Sequence, residues 1–276
     1  MSNLQLRIIS GLVLASVVLA LTWVGGLPFR LLAVAISAAV FYEWTRMTRP
    51  AHSRVMWPRV MWLVPEACMA VLLVALGFGV AAVDFLLLAL AATVIVAAIG
   101  FLRGSGLWDA TGIAYASLSG FALAFLRGAD HAGLLAILFL FAVVWTTDTL
   151  AYFVGRAVGG PKLAPSISPG KTWSGAIGGT VAGVAAGIVV SVLAGTGNQL
   201  LPGLAALLLS VVSQIGDLFE SWVKRRHGCK DSSQLIPGHG GVMDRVDGLV
   251  VAALALYVIG SLAASPDNPA QGLFGG

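Results

Sequence analysis

Long apolar segments recur along the whole chain, and they constrain its fold more than any other feature. Of the 276 residues, 58% are hydrophobic and only 10% are charged. A helix needs about 20 apolar residues to cross a bilayer, and its backbone polar groups are then paired within the segment. We therefore predict an all-α, polytopic integral membrane protein. The nine predicted spans lie near residues 8–25, 29–46, 65–83, 84–102, 107–126, 132–154, 173–195, 200–222 and 246–264.

The basic residues predict the orientation of these spans, because Lys and Arg accumulate in cytoplasmic loops. With a cytoplasmic N-terminus, all 16 Lys and Arg residues fall on predicted cytoplasmic segments except Arg30 and Arg127. Nine spans then place the C-terminus on the opposite side. The net charge is +4. Because the basic residues mark predicted cytoplasmic loops, this charge does not indicate nucleic-acid binding, and we expect no nucleic-acid partner.

The chain is predicted to divide into three parts. Residues 1–130 hold the first five spans, residues 131–264 hold the last four with the most polar loops, and residues 265–276 form a disordered tail. The two cysteines, Cys68 and Cys229, are far apart and lack metal-ligand spacing. We expect neither a disulfide nor a zinc site.

Asp148, Asp217 and Glu220 lie within otherwise apolar predicted spans. An ionised carboxylate in lipid is costly, so each should face protein or an aqueous cavity. Helical spacing extends them into polar stripes that run toward the cytoplasmic ends of spans six and eight. Pairing with neighbouring helices is the alternative, and transporters also place acids in the membrane. The stripes are Trp145, Asp148, Tyr152 and Arg156 on span six, and Ser213, Asp217, either Glu220 or Ser221, and Lys224 on span eight.

A highly charged segment, residues 221–247, joins spans eight and nine. Asp244 and Asp247 are three residues apart, so both can project from one side of a helix. Gly238, Gly240 and Gly241 precede them and allow a ligand to approach the backbone closely. Carboxylates interleaved with cations suit a polyphosphate bound with Mg²⁺. The cations are Lys224, Arg225, Arg226, Lys230 and Arg245.

Contact with anionic lipid headgroups is an alternative role for these cations. It leaves Asp231, Asp244 and Asp247 unexplained. His239 in the same segment has three open roles: general base, phosphate donor or loop-ordering residue.

A second polar segment, residues 165–173, precedes span seven. Pro169 and Gly170 interrupt regular structure there. Ser168, Lys171 and Thr172 can offer hydroxyl and ammonium donors to a phosphate at the start of the next helix. The alternative is an ordinary helix start with a capping hydroxyl.

These segments resemble those of the phosphatidate cytidylyltransferases (CDP-diacylglycerol synthases). Residues 221–247 contain Ser-x-apolar-Lys-Arg, Lys-Asp, Pro-x-His-Gly-Gly and Asp-Arg-apolar-Asp in the family's order. Residues 148–156 and 168–173 resemble two further family segments. The match covers roughly the C-terminal half. It departs from the family pattern at Gly170, where the family often has a basic or polar residue, and at Ser174, where an acidic residue is frequent.

The resemblance implies that CTP and phosphatidate react to give CDP-diacylglycerol and pyrophosphate. It implies Mg²⁺ or another divalent cation, with one or two ions left open, and a homodimer. We expect a multi-pass protein of the bacterial inner membrane with its site facing the cytoplasm. The implied metal ligands are Asp217 and Asp244, then Asp148 and Asp247; the other catalytic residues are Lys224, Arg225 and His239, and the substrate contacts are Ser168, Lys171, Thr172, Lys230 and Arg245.

Two alternatives remain at this point. One is a membrane CTP-using enzyme with another lipid acceptor, such as an isoprenoid-alcohol kinase or an ether-lipid cytidylyltransferase. The other is a cation-coupled transporter that uses Asp148 and Asp217.

Overall fold

Long helices account for most of the described part of the chain. The computed structural model describes residues 3–49, 60–104, 106–236, 238 and 240–275. A two-stranded antiparallel hairpin, β1 and β2, lies between the sixth and seventh helices. The elements are α1 (Asn3–Val24), α2 (Gly26–Thr48), α3 (Val60–Phe78), α4 (Ala82–Arg103), α5 (Trp108–Arg127), α6 (His131–Val158), β1 (Lys162–Ala164), β2 (Ser168–Thr172), α7 (Trp173–Leu193), α8 (Leu200–Arg226), α9 (Met243–Ala263) and α10 (Gln271–Phe274).

Seven of the described helices are long and apolar enough to cross a membrane. They are α2 and α4 to α9, while α1 and α3 contribute the shorter apolar stretches Ile9–Val24 and Leu63–Phe78. This confirms the prediction of a helical, polytopic membrane protein, with the hairpin as a small addition. Nine crossings and a cytoplasmic N-terminus remain predictions.

The boundary between the third and fourth helices differs from the predicted one at residues 83 and 84. Gly79 has a φ of 71°, a left-handed conformation that glycine adopts without steric cost. It follows the end of α3, and α4 begins at Ala82. Asp84 therefore lies in the first turn of α4, where its negative charge complements the helix dipole.

Helices α6 and α8 extend beyond their predicted spans, to Val158 and Arg226. The predicted limits follow the apolar residues, which mark the part of a helix that lipid can surround. Backbone hydrogen bonding continues through the polar residues that follow. As a result, the cations Arg156, Lys224 and Arg225 stand on the last turns of helices.

The chain forms two compact units. The first comprises Met1–Ala124 with Asp231–Asp244, and the second comprises Phe125–Lys230 with Arg245–Gly276. In the first unit, Phe85 on α4 stacks on Phe121 of α5 with ring centroids 5.1 Å apart. Trp44 on α2 donates from its indole nitrogen to the carbonyl of Trp108, at 2.8 Å.

A partly buried ion network links the end of α2 to α3, α4 and α5 in the first unit. Asp109 accepts from Arg49 at 2.9 Å and from Arg103 at 3.1 Å. Arg49 also pairs with Glu66. The side chain of Arg103 is fully buried, so the carboxylate of Asp109 compensates a cation that has lost its hydration.

Helices α6 and α7 approach closely in the second unit because glycine recurs on α7. Gly175, Gly179, Gly183 and Gly187 are all buried. A Cβ atom added at Gly179 would lie 2.5 Å from the carbonyl oxygen of Thr147. Small residues permit such backbone contacts between membrane helices. This packing fixes the part of α6 that carries Asp148.

The C-terminal segment is packed in the second unit, which differs from the predicted disordered tail. Phe274 on α10 is buried and lies edge-on to Phe139 of α6, with ring centroids 5.5 Å apart. Gln271 donates to the carboxylate of Asp130. The few apolar residues among the polar ones provide the burial that holds this segment.

Candidate active site

Lys171 and Asp217 form an ion pair in the second unit. The Lys171 ammonium group on β2 donates to Oδ2 of Asp217 on α8. The Ser221 hydroxyl, one turn further along α8, donates to Oδ1 of Asp217 at 3.3 Å. Both members of the ion pair retain more than a quarter of their side-chain exposure. The pair is therefore accessible to a ligand that arrives from outside the helices.

Asp148 and Asp247 lie within electrostatic range of Asp217. The three acids come from α6, α9 and α8, respectively. Contact between α8 and α9 accounts for part of this arrangement, because a Cβ atom added at Gly248 would lie 2.7 Å from the Ser213 carbonyl oxygen. Three carboxylates thus gather in one region, as the polar stripes on spans six and eight predict for Asp148 and Asp217.

The β1–β2 hairpin contacts the C-terminal end of α8, which the sequence predicts to lie on the cytoplasmic side. Arg225 donates from Nε to the carbonyl oxygen of Ile167 at 3.4 Å, next to Ser168. The same side chain donates from Nη1 to the Cys229 carbonyl at 3.1 Å. Together, the Arg225–Ile167 and Lys171–Asp217 contacts hold the hairpin against α8.

Thr172 is the N-cap of α7. Its hydroxyl accepts from the backbone N–H of Gly175 at 3.1 Å, which is the capping alternative considered from sequence. A Cβ atom added at Gly155 would lie 2.8 Å from the Thr172 hydroxyl, so the glycine lets α6 pass this cap. Ser174, one of the two departures from the family pattern, donates to the carbonyl of Gly159. A phosphate contact by Thr172 remains a prediction.

The other cations of the charged segment differ in their surroundings. Lys224 is buried and donates to Glu220 at 3.0 Å within α8. Lys230 and Arg245 are exposed and can meet a phosphate from solution. Burial lowers the pKa of the neighbouring His227, and Arg226 lowers it further. The imidazole therefore adds no positive charge to this cationic run at neutral pH.

Asp244 belongs to the first unit, where it organises the segment that precedes α9. Its Oδ2 atom accepts from the Ser232 backbone N–H at 2.9 Å, the Ser232 hydroxyl at 3.0 Å and the Gly241 N–H at 2.9 Å. A role as metal ligand remains a prediction. His239 lies outside the described residues, and its predicted role stays open.

Glu43 on α2 is a buried acid that is not among the predicted site residues. It is fully buried and accepts hydrogen bonds from residues of the segment before α9. The rule that selected Asp148 applies equally here, because Glu43 stands within the predicted span 29–46. The sequence around Glu43 is largely apolar and far from the charged segment, so no motif indicates a role for this residue.

The acids of the second unit suit a hard divalent cation in their chemistry. Carboxylate oxygens are preferred ligands of Mg²⁺, and three acids near one another need positive charge to offset their repulsion. Lys171 supplies part of that charge at Asp217. In the described part of the chain, no group of three or more His, Cys, Asp or Glu side chains has the spacing of a formed metal site. The donor types fit, and ligation requires side chains to reorient.

Comparison with known proteins covers nearly the whole chain. The model of the cytidylyltransferase family matches residues 5–263. The chain is 51% identical to a phosphatidate cytidylyltransferase of Brucella suis biovar 1 (strain 1330) over 99% of both chains. It is 32% identical to one of Bacillus subtilis (strain 168), over 94% of this chain and 98% of that protein. A relative of the same name from Haemophilus influenzae is 46% identical over 44% of this chain and 43% of its own length.

Proposed function

Because the chain belongs to the cytidylyltransferase family, we propose that it transfers the CMP group of CTP to phosphatidate. The products are CDP-diacylglycerol and pyrophosphate, which makes the chain an enzyme of phospholipid biosynthesis. Relatives that match it end to end carry the name phosphatidate cytidylyltransferase. The observation that carries the proposal is the accessible ion pair between Lys171 on β2 and Asp217 on α8, with Asp148 and Asp247 within electrostatic range of Asp217. The helices of this unit are suited to a membrane.

The reaction needs charge stabilisation more than proton transfer. A phosphate oxygen of phosphatidate forms a bond to the α-phosphorus of CTP, and the bond from that phosphorus to the β-phosphate oxygen breaks. Pyrophosphate leaves with the bonding electrons. The attacking oxygen is already anionic, so positioning and electrostatic stabilisation supply most of the acceleration. This is why a site of lysines, arginines and carboxylates is chemically sufficient without a dedicated base.

The chain's own residues divide this task between binding and charge compensation. An entering phosphate competes with Asp217 for the Lys171 ammonium group, since both are anionic acceptors. Arg225 holds the hairpin that carries Ser168 and Lys171. Lys230 and Arg245 supply further exposed positive charge. Displacement of Lys171 toward phosphate also frees Asp217 to take a second cationic partner.

Mg²⁺ is the proposed second partner, held by Asp217 with Asp148 and Asp247, and with Asp244 as a further predicted ligand. When bound, it neutralises charge on the leaving pyrophosphate. Retained activity after thorough chelation would contradict a metal requirement. Recovery on adding Mg²⁺ back, without recovery on adding Na⁺, is the expected result.

The lipid substrate and the nucleotide reach the site from different phases in this proposal. Phosphatidate enters from the leaflet of the bacterial inner membrane, and CTP enters from the cytoplasm. The exposed cations after α8 support a cytoplasmic location through the positive-inside rule. A homodimer, implied by the family resemblance, is included in the proposal and predicts twice the protomer mass in detergent-corrected light scattering.

A panel of lipid acceptors tests the proposed substrate. Purified protein is incubated with Mg²⁺, CTP and one of three lipids: phosphatidate, an isoprenoid alcohol or an ether-linked phosphatidate analogue. We expect the highest kcat/KM with phosphatidate and CDP-diacylglycerol as the lipid product. Preferential phosphorylation of the alcohol, or a strong preference for the ether lipid, would overturn the assignment. Transport of cations without consumption of CTP would overturn the assignment of an enzyme.

A further inference from the structure

Glu43 lies in an environment that ordinarily disfavours a charged group. It stands near the end of α2, with a fully buried side chain. No salt bridge formed within the described ranges includes it. Burying a carboxylate without compensation is costly. Hydrogen-bond donors from the described residues offset part of this cost.

Among the described residues, four groups donate to the Glu43 carboxylate, and they belong to residues just before and at the start of α9. The hydroxyl groups of Ser232 and Ser233 donate at 3.0 and 2.6 Å. The backbone N–H groups of Val242 and Met243 donate at 2.9 and 2.7 Å. Each carboxylate oxygen receives one hydroxyl and one backbone N–H. Both carboxylate oxygens therefore have hydrogen-bond donors.

Two of these donors are the N–H groups that a helix leaves unpaired at its start. Helix α9 begins at Met243, and Glu43 caps it from 200 residues away in sequence. A negative charge at this end also interacts favourably with the helix dipole. Glu43 therefore performs from α2 the task that a local Ser or Asp performs at an ordinary N-cap.

Asp244 holds the same segment from the other side. Its Oδ2 atom accepts from the N–H groups of Ser232 and Gly241. The Ser232 hydroxyl lies 3.0 Å from both Asp244 and Glu43, and its single proton serves one of them at a time. The two acids are therefore connected through one hydroxyl group.

Ser232 and the same two carboxylates explain the glycines of this segment. A Cβ atom added at Gly241 would lie 1.9 Å from the Ser232 hydroxyl oxygen and 2.6 Å from Oε2 of Glu43. One added at Gly240 would lie 2.9 Å from Oδ2 of Asp244, and the φ of Gly240 is 85°. The backbone must approach the acids closely, and a side chain at either position would prevent it.

We infer that Glu43 is a positioning residue for the proposed CMP transfer. It fixes Ser232, Ser233 and the start of α9, and so sets the conformation in which the adjacent Asp244 is presented. Glu43 itself touches neither substrate in this assignment. The expected effect on catalysis rests on the proposed function. The positioning role itself rests on the hydrogen bonds around Glu43.

The test compares Glu43→Gln and Glu43→Asp with the wild type, with Asp84→Asn as control. Asp84 is an exposed acid in the same unit. Glu43→Gln replaces one acceptor oxygen by an NH₂ donor and should lower kcat about 10- to 100-fold, as changes in a supporting shell typically do. The KM for CTP should change less. Glu43→Asp, which keeps the charge, should retain more activity than Glu43→Gln.

Amide hydrogen exchange supplies a readout that is independent of turnover. Exchange at residues 240–243 should be at least about tenfold faster in Glu43→Gln than in the wild type. Asp84→Asn should leave both kcat and this exchange unchanged. Wild-type kcat in Glu43→Gln, or a loss of kcat without faster exchange, would overturn the inference.

Different results would overturn the proposed function and the role of Glu43. If the wild type makes no CDP-diacylglycerol, the proposed function is wrong. If the wild type is active and Glu43→Gln is equally active, only the role of Glu43 is wrong. If Glu43→Gln does not fold, the comparison passes to Glu43→Asp, where unchanged kcat and unchanged exchange would overturn the inference.

Discussion

The ammonium group of Lys171 donates to the carboxylate of Asp217 and thereby joins the hairpin strand β2 to the membrane helix α8. This contact joins two residues that are 46 positions apart in the sequence. It gives the carboxylate of Asp217 a cationic partner. It also places Lys171, the proposed phosphate contact, beside the acid proposed to hold Mg²⁺.

The first prediction concerns Asp217. Asp217→Asn keeps the size of the side chain but removes its negative charge, so the site loses both the anionic partner of Lys171 and a proposed metal ligand. We expect turnover to fall at least about 100-fold, on the scale of lost transition-state stabilisation. Pyrophosphate release measures it, and elution from a sizing column in detergent checks that the variant is folded. Near-normal turnover would remove Asp217 from the site.

The second prediction separates Lys171 from the other lysine of the hairpin. Lys171→Ala should raise the KM for CTP by about tenfold or more, because a charge-assisted contact to phosphate is worth roughly 1.5–3 kcal/mol. Lys162→Ala is the matched control, since Lys162 is exposed on β1. Steady-state kinetics with varied CTP measure both. Equal KM values in the two variants would argue against nucleotide binding by Lys171.

The third prediction concerns the close packing of α6 and α7. Gly179→Ala introduces a methyl group 2.5 Å from the carbonyl oxygen of Thr147. Overpacking of this kind costs about 1–3 kcal/mol. Gly77→Ala provides the control, because nothing lies within 4 Å of an added Cβ there. Thermal unfolding in detergent should show a lower midpoint for Gly179→Ala alone; equal midpoints would contradict this packing.

The fourth prediction concerns the ion network of the first unit. Asp109→Asn removes the negative charge that pairs with the buried Arg103 side chain and with Arg49. Breaking a buried pair in this way costs about 3–5 kcal/mol. The exposed Asp84 provides the control variant Asp84→Asn. A melting midpoint for Asp109→Asn as high as that of the control would show that the network contributes little.

The sequence predicts the helices well because lipid imposes a simple rule on length and polarity. It predicts their limits less well, since α6 and α8 continue past their apolar residues to Val158 and Arg226. The turn at Gly79 is a local backbone effect that apolar counting cannot locate. The packed tail depends on burial of Phe274 near Phe139, a contact between residues far apart in the chain.

The second-unit part of the candidate site was also largely predictable. Asp148 and Asp217 are identified by their cost in lipid, and Lys171 by its place before a helix. Glu43 shows where such reasoning stops. Its significance comes from hydrogen bonds to Val242 and Met243, and only the folded chain brings these residues together.

The position of an isotope in the products tests the central claim most directly. Purified protein receives Mg²⁺, phosphatidate and CTP labelled at either the α- or the γ-phosphate. The account predicts that the α-label enters the lipid as CDP-diacylglycerol, that the γ-label leaves as pyrophosphate, and that the two products form in equal amounts. Transfer of the γ-label to lipid, or no labelled lipid from either substrate, would contradict it.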